Sequence, residues 1–241
     1  MPFEMAFPAR YVIAPEIIGT ADATRAREAC KYDAVDLEME AKTLNLNVGA
    51  IVWSTGWQPY DAAKIDNLGF GEYPNIVTNM MMERLASPNG PTRGKILRPS
   101  DNKEPQSVAF VQCAGSRDEN HLPYCSYICC MASLKQATYV RERYPDAKIY
   151  IFYIDLRAPG YRYERFYQTI KEDENIFLIK GKVAEVSEDA STNHVTVVAE
   201  NAVTGEKVHH EVEMVVLATG MQPTAATAKL PADLKYNDDG F

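Results

Sequence analysis

Four cysteines, Cys113, Cys125, Cys129 and Cys130, fall within eighteen residues of a chain that holds only five, in the spacing C-x11-C-x3-C-C. Thiolate is a soft, anionic ligand, so a set of this density can hold an iron–sulfur cluster, bind zinc or work as a redox dithiol. Several explanations compete. Free buried thiols rarely crowd so closely, although cysteine is a commonly buried residue. Structural disulfides belong to secreted chains, and the start Met1-Pro2-Phe3-Glu4 shows no signal peptide. Structural zinc usually takes two separated C-x2-4-C pairs, from which the adjacent Cys129 and Cys130 depart. A dithiol of Cys125 and Cys129, or a vicinal Cys129–Cys130 bridge, is a further alternative. A cluster with four thiolate ligands is the leading reading. Cys30 is left over: no C-x2-C-x2-C precedes it, and it reads as a structural thiol.

The elements that must position these thiols form a βαβ pattern. Val108–Val111 reads as a short buried strand, Ser126–Tyr144 as a helix stopped by Pro145, and Lys148–Asp155 as a second strand rich in β-branched and aromatic residues. Strand, helix and a strand ending in an acid is the layout of a dinucleotide-binding unit. Its glycine fingerprint is missing, and Gln112-Cys113-Ala114-Gly115-Ser116 stands in its place. Cys113 therefore ends a strand, and Cys125, Cys129 and Cys130 open a helix, with Cys125 and Cys129 on one side of its first turn. The amides and dipole of a helix N-terminus favour an anionic cluster as they favour phosphate. The loop Ser116–Tyr124 is long enough to fold over the site.

Around this unit the chain shows two related arrangements. Val35, Leu37 and Met39, then Leu44, Leu46 and Val48, alternate with polar residues as a hairpin would, and Ala50–Trp53 reads as a buried strand before Thr55-Gly56-Trp57-Gln58-Pro59. Downstream, strands at 176–179, 183–186, 195–198, 208–212 and 214–217 lead into Thr219-Gly220-Met221-Gln222-Pro223. The matching tails indicate a structural repeat. Asp22–Tyr32 reads as a short helix.

Composition bounds the function. With 25 basic against 33 acidic residues, net charge −8, and 46% apolar residues, the chain reads as an ordinary globular protein of one to two domains. The acidic balance argues against a nucleic-acid partner. The longest apolar run, Ile149–Ile154, is far short of the ~20 residues of a membrane-spanning helix. No G-x-G-x-x-G occurs, which disfavours a pyridine-nucleotide reductase. Gly90–Ile96 is not a phosphate loop, because its gap is a residue short and Ile96 replaces Ser/Thr. His121 reads as a loop histidine that could alternatively touch the site from outside, and His194, His209 and His210 as structural. Tyr161–Tyr167, with Arg162 and Arg165, reads as an aromatic helix face for packing or a subunit contact.

The stretches Val108–Glu119 (VAFVQCAGSRDE) and Tyr124–Ala137 (YCSYICCMASLKQA), with Asn75–Asn79, Glu83–Leu85 and Gly94–Asp101, resemble the heterodisulfide reductase flavin-subunit (A-type) family. The likeness is strongest to the branch found in the quinone-interacting membrane-bound oxidoreductase of sulfate reducers, and it covers most of the chain. The resemblance implies an α/β, thioredoxin-reductase-like flavoprotein fold, three-layered and Rossmann-like, with two dinucleotide domains of which the FAD domain is incomplete. It implies a [4Fe–4S] cluster on Cys113, Cys125, Cys129 and Cys130, and it directs Lys135 at the flavin as the catalytic candidate. Thr55 and Gly56, and more weakly Gly220, match turns where backbone approaches FAD. The domain division expected is 1–90 for part of an FAD domain with its hairpin, 91–106 for a linker, 107–225 for the second domain with the cysteines, and 226–241 for a return segment. The implied function is electron transfer between FAD and the cluster in a multi-subunit oxidoreductase joining the quinone pool to sulfate reduction. Such a complex would lie in the cytoplasm and meet the membrane through partner subunits, with a homodimer also open. FAD would belong to the full-length protein, and this chain, as an internal piece, would bind it weakly or not at all. The competing class is a zinc-bound or metal-free docking module of a redox complex.

Overall fold

The computed structural model describes residues 2–3, 10–40, 43–228, 230–238 and 240. The chain divides between Trp53 and Ser54 into two compact units. The first carries a two-residue pair of strands, β1 (Pro2–Phe3) and β2 (Arg10–Tyr11), a 3-10 turn at Pro15–Ile17 and the helix α1 (Ala21–Ala29). α1 stops three residues before the expected end, at Ala29, with Cys30 after it. The hairpin expected over 35–48 is not formed among the described residues, nor is the strand at 50–53; residues 41 and 42, in its turn, lie outside them. Leu44, Leu46, Ile51 and Val52 are exposed, Val52 at 87%. An isolated hairpin is marginal until a third strand or a helix covers its apolar face, and these apolar side chains stay uncovered.

The second unit has three layers. Its centre is a parallel sheet in the order β4-β11-β5-β6-β7, made of β4 (Ile76–Thr78), β5 (Ser107–Ala114), β6 (Lys148–Tyr153), β7 (Ile176–Lys180) and β11 (Met214–Thr219). Helices α2 (Asn79–Ala86), α3 (Cys129–Arg143) and α4 (Tyr161–Lys171) cover one face. An antiparallel sheet of β8 (Val183–Asp189), β9 (His194–Glu200) and β10 (Lys207–Val212) covers the other. Alternation along β5 makes both cores. Val108 and Phe110 meet Leu134, Ala137 and Val140 of α3, while Ala109 and Val111 meet Val195, Val197 and Val212. Phe110 is wholly buried, which by itself is worth about 1.5–3 kcal/mol.

The expected linker over 91–106 is instead part of this unit. Ile96 is fully buried, and Arg98 pairs with Asp101 and, at 3.4 Å, with Glu213. Arg143 and Tyr144 at the end of α3 hold the carbonyls of Gly94 and Ile96. The expected boundary at residue 90 therefore moves to 53/54. Pro, Gly and Asn promote turns without loosening the loop from a core that gives its backbone partners.

The two matching tails meet each other. β3 (Trp57–Pro59) pairs antiparallel with β12 (Met221–Pro223), Gln58 opposite Gln222. Flanking bonds repeat the symmetry: Tyr60 N donates to Gly220 O at 2.7 Å, and Thr224 N, opening the short helix α5 (Thr224–Thr227), donates to Gly56 O at 3.2 Å. The likeness extends no further back, because 214–219 is a buried strand and 50–55 is not.

Candidate cluster site

The four cysteines gather at the carboxyl ends of β11, β5 and β6, beside the N-terminus of α3. This is the edge at which open α/β sheets place their ligands. At the end of β5 the register breaks: Leu217 lies opposite Val111, then Thr219 lies opposite Ala114, so Gln112 and Cys113 together face Ala218. Such a bulge re-aims a side chain and commonly sits beside an active site. Cys113 takes a left-handed φ of 57°, which costs a residue with a Cβ about 1–2 kcal/mol. Arg117 (φ 55°) and Tyr127 (φ 69°) do the same within the same segment. Strain held by non-glycine residues in one place points to a functional constraint there.

Tyr127 also corrects the expected helix start. The turn it makes keeps Cys125 outside the helix, and α3 begins at Cys129 with Ile128 before it. Cys125 Sγ accepts the Tyr127 N–H at 3.4 Å. Cys129 Sγ donates to the carbonyl of Thr219, 3.5 Å away, and Cys130 Sγ to that of Asp155 at 3.6 Å. The thiols thus touch the ends of β11 and β6 on either side of β5. No side chain caps α3, so its first N–H groups stay open to an anion.

The four sulfurs lie near enough to act on one another's ionisation. Burial pushes the Cys113 thiol up to about 11, with Cys130 and Cys125 adding to the effect and Arg117 opposing it. Burial and then the other three thiols push Cys129 up to about 12, and burial raises Cys130. Four thiolates in this position need a strong cation. Arg117, ion-paired to Asp155 at 3.0 Å, and Arg157 supply part of that charge.

Buried polar groups beside the thiols lack partners. Both amide atoms of Gln112 and the hydroxyl of Ser133 make no hydrogen bond, although the residues are 5% and 0% exposed. No three His, Cys, Asp or Glu side chains among the described residues converge as ligands of a single metal ion would. An all-sulfur donor set, an open helix end, two arginines and orphaned polar groups fit a polynuclear cluster of sulfide and iron.

The loop after Cys113 is tied to the repeat turn. Ser126 Oγ accepts the Met221 N–H at 2.8 Å and lies 3.3 Å from Ser116 Oγ, and Tyr124 Oη donates to Met221 O at 2.8 Å. Gly220 permits this closeness. A Cβ there would collide with Ser116 Oγ and lie 2.7 Å from Leu122 Cδ1. Gly220, expected at the cofactor, is also the glycine on which the cysteine loop rests. Thr55 and Gly56 are exposed, and Gly56 turns the chain at φ 71° with open space beside it.

Lys135 projects from α3 to Glu83, 2.9 Å away, with its ammonium 5.5 Å from the centre of the Tyr139 ring. It also lines a cleft of about 750 Å3 between α3 and α4, with Met131 and Phe166. His121 meets the Tyr60 hydroxyl at 2.9 Å. His194 pairs with Glu211 across β9 and β10, and His210 lies against Tyr150 and Phe152. Sequence reasoning missed Gln112, Arg117, Arg157 and Ser133. A polar Gln112 inside an apolar strand, one residue before Cys113, was the available signal.

No family model matches the chain. It is 40% identical over 212 residues to the second A-type iron-sulfur subunit of CoB–CoM heterodisulfide reductase from Methanopyrus kandleri, covering 87% of this chain and 32% of that protein. It is 44% identical over 199 residues to the A-type subunit of the ferredoxin/F420H2-dependent CoB-CoM heterodisulfide reductase of Methanosarcina acetivorans, covering 82% of this chain and 25% of that protein. A third relative, the A-type iron-sulfur subunit of CoB–CoM heterodisulfide reductase from Methanocaldococcus jannaschii, is 35% identical across all of this chain and 37% of its own. The chain thus spans between a quarter and two fifths of these relatives' length. Among solved structures, thioredoxin reductases of T. acidophilum and Giardia duodenalis align with 77% of the chain and 48% of theirs, at 14% identity and TM-scores of 0.46 and 0.45.

Proposed function

The chain belongs, over the part it spans, to the A-type subunit family of heterodisulfide reductase, and from that premise we propose that it is an electron-transfer module holding a [4Fe–4S] cluster on Cys113, Cys125, Cys129 and Cys130. The observation that carries the reading is the placement of four thiols, near enough to act on one another's charge, at the carboxyl edge of a parallel sheet beside an uncapped helix N-terminus. The cluster would supply the one-electron chemistry. The protein's share is burial, charge and orientation. The bulge at Gln112–Cys113 aims one ligand, α3 presents two more, and the Tyr127 turn presents Cys125. Arg117 and Arg157 offset the anionic charge, and the loop fastened to Met221 keeps water from one side.

FAD is the electron partner of the cluster in this proposal. The surroundings of Lys135, and the turns at Thr55-Gly56 and Gly220, are the candidate flavin contacts. We assign the whole protein to a multi-subunit oxidoreductase, and within it to the branch joining the quinone pool to sulfate reduction. The motif residues Val108–Glu119 and Tyr124–Ala137 support that branch. Attachment to a membrane would run through partner subunits in this reading. No helix among the described residues is long and apolar enough to cross a membrane.

The deciding experiment is metal, sulfide and flavin analysis of anaerobically purified protein. Brown protein with about four irons and four acid-labile sulfides per chain, bleached by dithionite, is expected. Colourless protein with one zinc would overturn the cluster and favour a docking module. Full iron content in a Cys129→Ala variant would overturn the ligand assignment.

A further inference from the structure

We propose that Gln112 is a hydrogen-bond donor to the cluster's sulfur and that Ser133 orients it, which rests on the cluster reading above. Alternation along β5 puts Gln112 on the side of Val108 and Phe110, the face covered by α3. Gln112 stands immediately before the first cysteine, in the bulge opposite Ala218. Ser133 lies three and four residues after Cys130 and Cys129, on the same face of α3 as both, and is fully buried. Both residues therefore sit under the first turns of α3, beside the thiols.

Their hydrogen-bonding capacity identifies the missing partner. An amide offers two N–H donors and a carbonyl acceptor, and a hydroxyl offers one donor. In Gln112 neither Nε2 nor Oε1 is satisfied, and neither is Ser133 Oγ. Leaving such groups unpaired in a protein interior is costly, and native structures rarely do so. Ser133 and Gln112 are not bonded to each other in this structure, since both groups are without partners; a Ser133 hydroxyl turned to donate to Gln112 Oε1 would satisfy two of the three groups. The Gln112 Nε2–H is then left aimed at an acceptor. The described residues offer it none, whereas sulfide and thiolate sulfurs are acceptors carrying negative charge. Arg117 acts on Cys113 from the part-exposed side, where it is also paired with Asp155, and leaves the buried side of the thiols to Gln112.

A donor of this kind acts on the cluster's electron affinity. Reduction adds negative charge to the sulfurs, so an N–H···S bond strengthens on reduction and raises the potential. Burial sharpens the effect by excluding water that could replace the bond. Ser133 acts only through Gln112, which makes it a positioning residue.

The test compares wild type, Gln112→Leu, Gln112→Glu, Ser133→Ala and the double variant Gln112→Leu/Ser133→Ala. Each is characterised by iron content, by the midpoint potential from dithionite-mediated titration, and by the EPR signal of the reduced cluster. Gln112→Leu is expected to keep its iron and shift the potential negative, with changed g-values. Gln112→Glu has the same shape and lacks the donor only when ionised, so its potential should fall below wild type at high pH and return toward it at low pH. Ser133→Ala should give a smaller negative shift that vanishes in the Gln112→Leu background, since coupled residues are not additive. An iron-loaded Gln112→Leu variant with wild-type potential and EPR signal would overturn the proposal while leaving the cluster reading intact. Additive shifts would show Ser133 serving Gln136, whose Oε1 is also unpartnered, and would overturn the positioning role. If Gln112→Leu loses its iron, Ser133→Ala and Gln112→Glu carry the test. Wild-type protein without iron and sulfide would overturn both readings together.

Discussion

Replacing Gly220 with alanine tests how the cysteine loop is held. A Cβ on Gly220 would overlap Ser116 Oγ, lie 2.7 Å from Leu122 Cδ1 and 3.0 Å from Ser126 Oγ. Carbon atoms rest about 3.5–4.0 Å apart, so Leu122 must retreat by about 1 Å. Ser116 and Ser126 are buried, so either must turn about χ1 inside a packed interior to swing clear. Ser126 Oγ moreover accepts the Met221 N–H at 2.8 Å, a bond that its retreat would break. Overpacking costs about 1–3 kcal/mol and a lost buried hydrogen bond about 1 kcal/mol, which together give about 2–4 kcal/mol. For a unit the size of Ser54–Phe241 that lowers the melting temperature by roughly 5–15 °C. Because the displaced loop ends in Cys125, iron retention should fall with stability. Gly56→Ala is the control. It meets open space, so only its positive φ opposes alanine, at about 1–2 kcal/mol, and its iron content should match wild type. Denaturant unfolding and iron analysis of both variants decide the matter. Gly220→Ala within about 0.5 kcal/mol of wild type, or Gly56→Ala losing as much iron, would refute this account of the loop.

Three other perturbations have definite expected outcomes. The Arg98 guanidinium holds the Asp101 carboxyl at about 2, below its ordinary 3.8. A carboxyl depressed on folding adds stability above its unfolded value and loses it as pH falls through the folded one. Acid unfolding curves should therefore show Asp101→Asn less sensitive than wild type between about pH 4 and pH 2, and equal slopes would contradict the ion pair's role. Arg117→Met should change stability by less than about 1 kcal/mol, because its pair with Asp155 is partly exposed. It should nevertheless lower the cluster's midpoint potential by removing a cation beside Cys113, as redox titration would show. Cys30→Ala should leave iron and sulfide per chain unchanged, since its thiol accepts from the backbone of its own turn and no C-x2-C-x2-C precedes it; any loss of cluster would return Cys30 to the ligand set.

The βαβ core was legible because its physics is local. Val108–Val111 and Met214–Leu217 are continuous apolar runs, which only strands covered on both faces tolerate, and Ser126–Tyr144 before Pro145 allowed little but a helix. The strands at 176–217 were legible for the same reason. The alternation at 35–48 misled because period two says only that a strand would have one apolar face, not that anything is present to cover it. Met39, Leu44, Leu46 and Val48 stay exposed in the structure. The helix start was misplaced at Ser126 because nothing local marks Tyr127 as left-handed. Bulky residues rarely adopt that conformation, so its presence can be learned only from the surroundings that impose it.

The same limit explains why the sequence could nominate the cysteines and not the residues around them. A ligand set announces itself by residue type and spacing. The bulge that aims Cys113 arises from the register of β5 against β11, two strands about a hundred residues apart in the chain, and no window of sequence contains it. Gln112 looked like a stray polar residue until that register put it under α3 with Ser133, both without partners. Likewise the twin Thr-Gly-x-Gln-Pro tails were recognisable as a likeness, but not as strands that pair with each other. That pairing has a consequence for the site. It sets Gly220 against Ser116, Leu122 and Ser126, so the loop between the first two cysteines is braced by the repeat and not by the helix that carries the other two. Candidate ligands are thus read from the sequence by type and spacing, whereas the residues that would hold them still are read from contacts between distant segments. Any variant of the β3–β12 pair that keeps all four cysteines should therefore still weaken the cluster.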